Sequence, residues 1–310
     1  RSPWRNAAAG VAAARGGNAI GGTGAAPYAT IAGLRVLDPA ATNQTFINAY
    51  LWKSGVESQS QGEATVLIPK AAPEIHINNH SYGFNSPFIN QDEDVLPSLH
   101  ATSVNGVIHV FASGNSRGQA SEDANKALKN SYRDVINVAA LGSDGKFTDY
   151  SCYGASIFVT APSNRTDFYT DTTIPTGFGI TTTDRTGKDL GYNAYSLNNG
   201  CEGCGDVFDS FPDYNYTGRF GGTSSAAPLV SGILALGKEA NPEMDVRMVK
   251  HILVKTSDIV DTADNSATGK WLKNGAGNWF NPNYGFGNIN AGKFVDMVQK
   301  VAYVTEQTSY

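Results

Sequence analysis

Phe220-Gly221-Gly222-Thr223-Ser224-Ser225-Ala226-Ala227-Pro228-Leu229-Val230-Ser231-Gly232 is the stretch that decides how the rest of the chain is read. Two glycines lead into Thr and Ser, and small residues then open a segment whose apolar positions, Leu229, Val230, Ile233, Leu234 and Leu236, recur at helical spacing. The pattern predicts a tight turn feeding a buried helix over residues 225–240. A serine at such a boundary has two uses. Ser and Thr commonly cap helix N-termini. The same position also exposes a hydroxyl beside a helix N-terminus, where developing negative charge is stabilised, and that suits a nucleophile.

Working outward, helical stretches alternate with short β-rich runs, the pattern of a parallel sheet covered by helices, so an α/β fold is expected. Helices are predicted over residues 7–14, 45–53, 94–104, 246–257 and 292–301. Strands are predicted over residues 30–37, 74–79, 106–112, 135–141 and 157–160. A Gly-rich loop, Gly21-Gly22-Thr23-Gly24, joins the first helix to the first strand. Residues 163–220 are rich in Thr, Gly, Asp, Asn and Tyr with no sustained period and read as a long surface insertion. With no internal repeat and no dividing linker, residues 1–310 are expected to form a single domain.

Composition narrows the partners. The chain has 310 residues, 41% of them apolar and only 16% charged, with 34 glycines, which fits a folded, loop-rich protein with a largely neutral polar surface. Its 23 basic and 28 acidic side chains give a net charge of -5 without a basic block, which argues against nucleic acid or an anionic membrane as partner. No apolar run approaches the ~20 residues of a membrane span. Arg1-Ser2-Pro3-Trp4-Arg5-Asn6 lacks the apolar core of a signal peptide. Cys201-Glu202-Gly203-Cys204 is a lone C-x-x-C that cannot by itself complete a tetrahedral zinc site, so a short loop disulfide is expected there, with Cys152 separate.

Gly-Thr-Ser-x-Ala-Ala-Pro before a small-residue helix closely resembles the serine signature of the subtilisin-like (subtilase) proteases, and other blocks follow in the same order. Val110-Phe111-Ala112-Ser113-Gly114-Asn115 resembles the strand ending in the oxyanion-hole Asn, and Ile77-Asn78-Asn79-His80-Ser81-Tyr82-Gly83 resembles the substrate-binding strand. Residues 9–14, with Gly24-Ala25-Ala26-Pro27 and Leu34-Arg35-Val36-Leu37, resemble the helix, loop and strand after the catalytic His. Tyr284-Gly285-Phe286-Gly287 and Ile289-Asn290-Ala291 resemble the close of the domain in the kexin-like branch and its bacterial relatives.

The resemblance implies a subtilisin-like parallel sheet and a serine hydrolase acting on peptide or ester bonds through an acyl-enzyme on Ser224. Asn115 and the Ser224 backbone N–H would form the oxyanion hole, and Thr223 would be among the substrate-binding residues. An extended polypeptide would lie along Ser81, Tyr82 and Gly83, its P1 side chain near Ser113 and Gly114. A secreted or periplasmic home follows from the resemblance alone.

Departures from the pattern set further expectations. The family's His-Gly-Thr falls on Trp4, Arg5 and Asn6, and indole cannot accept the serine proton. The Asp motif is likewise absent, so the fold is expected to lack its N-terminal strands, and a missing N-terminal fragment or a second copy of the chain is an expected partner. Esterase activity with a non-standard base, and a catalytically impaired fragment or non-catalytic binding module, are the alternatives. Of the five histidines, His76, His80, His100, His109 and His251, the best placed substitute base is His80, directly before the substrate strand.

Where the kexin-like branch carries acids for basic P1 residues, this chain has Arg117-Gly118-Gln119 and Tyr150-Ser151-Cys152, so Lys/Arg selectivity is not expected. No cofactor is expected to be required. A structural calcium is conceivable from the resemblance of Gly17-Asn18-Ala19-Ile20-Gly21 to a family calcium loop. Gln91-Asp92-Glu93-Asp94 reads as a solvated helix start.

Overall fold

Two runs in which a single residue is polar, Ile108–Ala112 with His109 and Val135–Leu141 with Asn137, are buried at every position, as strands covered on both faces must be. They form the centre of a parallel sheet in the computed structural model, which describes residues 4–61, 64–83, 90–164, 179–187, 191–193, 211 and 213–305. The chain runs α1 (Trp4–Ala13), α2 (Asn43–Leu51), β1 (Val56–Gln61), β2 (Ala64–Pro69), β3 (Ile77–His80), α3 (Leu96–Val104), β4 (Ile108–Ala112), β5 (Val135–Leu141) and β6 (Val159–Pro162). It continues through β7 (Ile180–Thr183), β8 (Tyr216–Phe220), α4 (Thr223–Ala240), α5 (Val246–Thr256), β9 (Leu272–Lys273), β10 (Trp279–Phe280) and α6 (Ala291–Lys300).

The sheet order is β3-β4-β5-β6, all parallel, with Ile77 opposite Ile108, Val110 opposite Ile136 and Val138 opposite Val159. Alternation along β4 divides the core. Ile108, Val110 and Ala112 pack with Val230, Leu234, Val249, Ile252 and Phe294 of α4, α5 and α6. Phe111 points to the other face and packs with Phe46 and Tyr50 of α2 and Leu99 of α3. The α/β expectation therefore holds.

Small residues explain how α1 reaches α4. A methyl group on Gly232 would stand 2.6 Å from Ala12 O, so only glycine allows this crossing. β7 closes over α1, with Thr182 Oγ1 donating to Ala7 O at 2.7 Å.

Three differences from the sequence reading have physical causes. Residues 30–37 are not a strand: among the described residues no ladder forms beside them, and Ile31 and Leu37 are exposed. A β-rich run needs a hydrogen-bonded neighbour before it becomes a strand. Residues 163–220, read as irregular, contain an antiparallel pair, β7 with β8, whose register shifts between Ile180 and Thr182 and whose four- and five-residue strands are too short to show a period. The hairpin β1–β2 went unpredicted because Val56-Glu57-Ser58-Gln59-Ser60-Gln61 buries only Val56 and carries no alternating apolar pattern. Cys201 and Cys204 lie outside the described residues, and Cys152 is a buried free thiol. Among the described residues no helix is long and apolar enough to cross a membrane.

Candidate active site

The serine turn is built from the start of α4. Gly222, its N-cap, has φ 73°, a left-handed conformation natural to glycine, and a Cβ there would stand 2.8 Å from Asn115 Nδ2. The turn is held from behind by buried polar groups. Asn164 Oδ1 accepts from Gly222 N at 2.9 Å and from Tyr150 OH at 2.7 Å, while Ser163 Oγ donates to Gly222 O at 2.8 Å. Ser224 follows as the second residue of the helix, 8% exposed.

Pro228 decides what becomes of the Ser224 carbonyl. In an uninterrupted helix the N–H of residue 228 would bond to O of residue 224, but proline has no N–H. The orphan carbonyl is satisfied from outside the helix, by Ser81 Oγ donating at 3.0 Å. In return Ser224 Oγ donates to Ser81 O at 3.4 Å. The link continues along the helix, since Asn79 Nδ2 donates to Ser81 Oγ at 2.9 Å and Ser231 Oγ donates to Asn79 Oδ1 at 3.2 Å. The proline that shapes the serine helix thus also fastens β3 and its extension to the serine.

Asn115 comes from the turn after β4. Its Oδ1 accepts two hydrogen bonds, from Thr223 N and Thr223 Oγ1, both at 2.9 Å, and Thr223 Oγ1 in turn accepts from Gly114 N at 3.1 Å. With the oxygen tied, the amide must present Nδ2 beside the Gly222 turn. Asn115 is exposed whereas Thr223 is 1% exposed, so a buried Thr aims an accessible amide. Ser224, Asn115, Thr223, Gly114 and Ser81 are therefore brought together, and the half-buried Tyr82 and exposed Gly83 extend from Ser81. Ser113 is buried on the wall behind Gly114.

His80 is not brought to Ser224. Its Nδ1 is hydrogen-bonded to Tyr82 OH at 2.9 Å and its Nε2 to His109 Nδ1 at 3.0 Å, inside the core. Burial, with His109 and Lys129 beside it, holds its pKa well below the ordinary histidine range. A strand alternates its faces, so Asn79 and Ser81 meet α4 while His80 and Tyr82 point the other way. Among the described residues no imidazole or carboxylate is hydrogen-bonded to Ser224 Oγ. The backbone of Trp4 begins α1, and its side chain lies outside what the structure describes.

Cys152 and Arg117 were legible only as departures from a pattern, and the structure gives them packing roles. Cys152 Sγ accepts from Ser116 N at 3.3 Å, and Cys152 N donates to Gly114 O at 3.0 Å, so one residue braces both sides of Asn115. Burial pushes the thiol pKa up. Arg117 donates to Ser151 O at 2.7 Å and Asn283 Oδ1 at 2.7 Å, its guanidinium lying over Phe147 at 4.2 Å.

Residues 17–21 contain no carboxylate, Asn18 Oδ1 accepts from Ile20 N at 3.1 Å, and Asp94 Oδ2 accepts from Asn43 Nδ2 at 2.8 Å. Among the described residues no three His, Cys, Asp or Glu side chains are grouped to hold a metal.

Comparison with known proteins agrees with this geometry. A sequence profile described as the Subtilase family matches residues 6–287. The Aeromonas extracellular serine protease of Aeromonas sobria is 30% identical over 318 aligned positions, covering 90% of this chain and 48% of that protein. A calcium-dependent protease of Trichormus variabilis is 33% identical over 192 positions, covering 62% of this chain and 25% of that protein. The crystal structure of the Aeromonas sobria serine protease superposes with a TM-score of 0.73 at 25% identity, covering 97% of this chain and 54% of that one. The chain spans less than half the length of the two curated relatives.

Proposed function

This chain belongs to the subtilase family, and on that premise we propose that it is a serine hydrolase that cleaves peptide bonds through an acyl-enzyme on Ser224. The observation that carries the reading is the double hydrogen bond from Thr223 to Asn115 Oδ1, which leaves the Asn115 amide nitrogen as a preset donor beside the Ser224 turn. Ser224 Oγ attacks the scissile carbonyl, forming a C–O bond while its own proton leaves. The oxyanion is stabilised by Asn115 Nδ2 and the N-terminus of α4, a donor of this kind being worth ~3 kcal/mol. The amine departs with a proton, and water then releases the acyl group. The substrate lies extended along Ser81, Tyr82 and Gly83, and its P1 side chain lies against Ser113 and Gly114.

Removing the Ser224 proton at full rate requires an imidazole, and His80 is committed elsewhere. The base is supplied by another polypeptide segment, an amino-terminal piece carrying a His and an Asp or a second copy of the chain. Without it, activity is confined to activated esters, whose leaving groups need no protonation. The lack of acidic side chains in Arg117-Gly118-Gln119 and Tyr150-Ser151-Cys152 disfavours a basic P1 residue. An extracellular home is proposed from the relative of that description. A structural calcium is proposed only by analogy with the calcium-dependent relative, and no step depends on it.

The test is a fluorophosphonate adduct at Ser224, absent in Ser224→Ala, together with casein cleavage that rises by orders of magnitude when the His- and Asp-bearing piece is added. No adduct and no cleavage with that piece present would overturn the reading and favour a binding module.

A further inference from the structure

The side chains on the far face of the substrate strand form a buried chain that the reaction above does not use. His80 is 4% exposed and His109 is fully buried, His80 stacking on Phe111 with ring centroids 4.1 Å apart. Thr102 Oγ1 in α3 lies 2.8 Å from Ser98 O and 2.9 Å from His109 Nε2. A hydroxyl has one hydrogen, and the Ser98 carbonyl can only accept, so Thr102 donates there and accepts from His109 Nε2–H. His109 Nδ1 is then a bare acceptor, and His80 Nε2–H, 3.0 Å away, must donate to it. His80 Nδ1 is bare in its turn and accepts from Tyr82 OH at 2.9 Å, whose oxygen accepts from Tyr50 OH at 3.3 Å. With the Thr102 hydrogen on the Ser98 carbonyl, every donor in the chain faces an acceptor in this one direction.

We propose that His80 and His109 are positioning residues for the substrate strand: the one-way chain Tyr50, Tyr82, His80, His109, Thr102, Ser98 locks the Tyr82 phenol and thereby the backbone of Ser81 to Gly83. This rests on the reading that substrate lies along that strand. Coupling to the serine is direct, because Ser81 sits between the two locked residues and exchanges hydrogen bonds with Ser224.

The chain works only while both imidazoles are neutral. Protonating either one puts a hydrogen on Nδ1, which turns His109 against the His80 donor or His80 against the Tyr82 donor. The groups facing the pair are Tyr50 from α2, Thr102 from α3, Phe111 from β4, Tyr82 beyond β3 and the Lys129 ammonium, which adds positive charge. Burial accordingly holds His109 near a pKa of about 3, and His80 well below its ordinary value.

The closing experiment has one readout that is independent of hydrolysis. Two-bond ¹H–¹⁵N correlations on the ¹⁵N-histidine-labelled chain are expected to show His80 and His109 as neutral Nε2–H tautomers that do not titrate between about pH 5 and 8, the range in which an ordinary histidine changes charge. A neutral Nδ1–H form at either residue, or titration near the ordinary histidine pKa, overturns the proposal whatever the chain hydrolyses.

The second readout is binding of a tetrapeptide p-nitroanilide with an uncharged P1 residue. It is followed as KM in active protein, or as Kd on Ser224→Ala if the chain proves inactive. Tyr82→Phe and His80→Leu are expected to weaken binding about five- to ten-fold, the loss of one net hydrogen bond. His80→Asn, whose Oδ1 can accept from Tyr82, restores binding to within about two-fold. Equal effects of Leu and Asn at residue 80, or a loss confined to kcat, would show a packing role only. Tyr82→Phe keeps the result interpretable if His80→Leu fails to fold.

Discussion

Replacing Asn115 by Asp separates the two jobs of one side chain. Asp keeps an oxygen where Asn115 Oδ1 accepts from Thr223 N and Thr223 Oγ1, both at 2.9 Å, and removes only the Nδ2 donor. Asn115→Ala removes both. The structural half should therefore survive in Asp and fail in Ala. Two hydrogen bonds to Thr223 at a partly exposed site are worth ~1 kcal/mol each, so Ala is expected to lower stability by about 1–2 kcal/mol and Asp by less than about 0.5 kcal/mol. The catalytic half should fail in both. Losing one oxyanion donor costs ~10²–10³ in kcat, and the Asp carboxylate adds repulsion of the developing negative charge. Urea unfolding reads the first quantity, and fluorophosphonate labelling of Ser224 with ester turnover reads the second. Asn115→Asp hydrolysing within about three-fold of the parent would refute the assignment of Asn115 Nδ2 to the oxyanion.

Other consequences follow from single contacts. Pro228→Ala supplies the missing N–H to Ser224 O, so Ser81 must share that acceptor and holds it less firmly; thermal stability should hold or rise while kcat/KM falls by up to about ten-fold, and Ser81→Ala should show the full kinetic loss. Gly222→Ala forces a side chain into φ 73° and against Asn115 Nδ2, and is expected to cost ~1–2 kcal/mol and most of the activity, read by calorimetry and labelling.

Burial lowers the Lys250 pKa from 10.5 to about 8. Between those values the unfolded chain binds the proton that the folded chain has lost, so this group makes stability rise with pH from about 8 toward 10.5. Below 8 both states are charged and its contribution is flat. Lys250→Met should remove that slope in denaturant titrations across the window. Peptide anilides with Lys or Arg at P1 should be cleaved at least about ten-fold less efficiently than those with Phe or Leu, measured as kcat/KM.

What could be read from the sequence depended on whether the cause was local. Residues 135–141 were legible to the residue because a run of that length in which only Asn137 is polar has one stable place, a covered central strand. The serine helix was legible from its spacing, although it starts at Thr223, where Gly222 takes the N-cap that side-chain capping would have given to Thr or Ser. Residues 30–37 show the limit: their composition is that of a strand, but strand formation depends on a partner elsewhere in the chain or outside it. Asn115 and Ser81 could be named only from their neighbours in sequence. Their tie to Thr223 and Ser224 spans more than a hundred residues. His80 was misplaced for the same reason, since a strand residue's face depends on register, and one residue's difference sends His80 into the core and Ser81 to the serine.

The most direct test of the account is mass spectrometry of the chain after fluorophosphonate treatment, with Ser224→Ala beside it and the His- and Asp-bearing amino-terminal piece added to a second sample. The account requires an adduct on Ser224, faster with the added piece and absent from the variant. Labelling at another residue, or none with the piece bound, would contradict it.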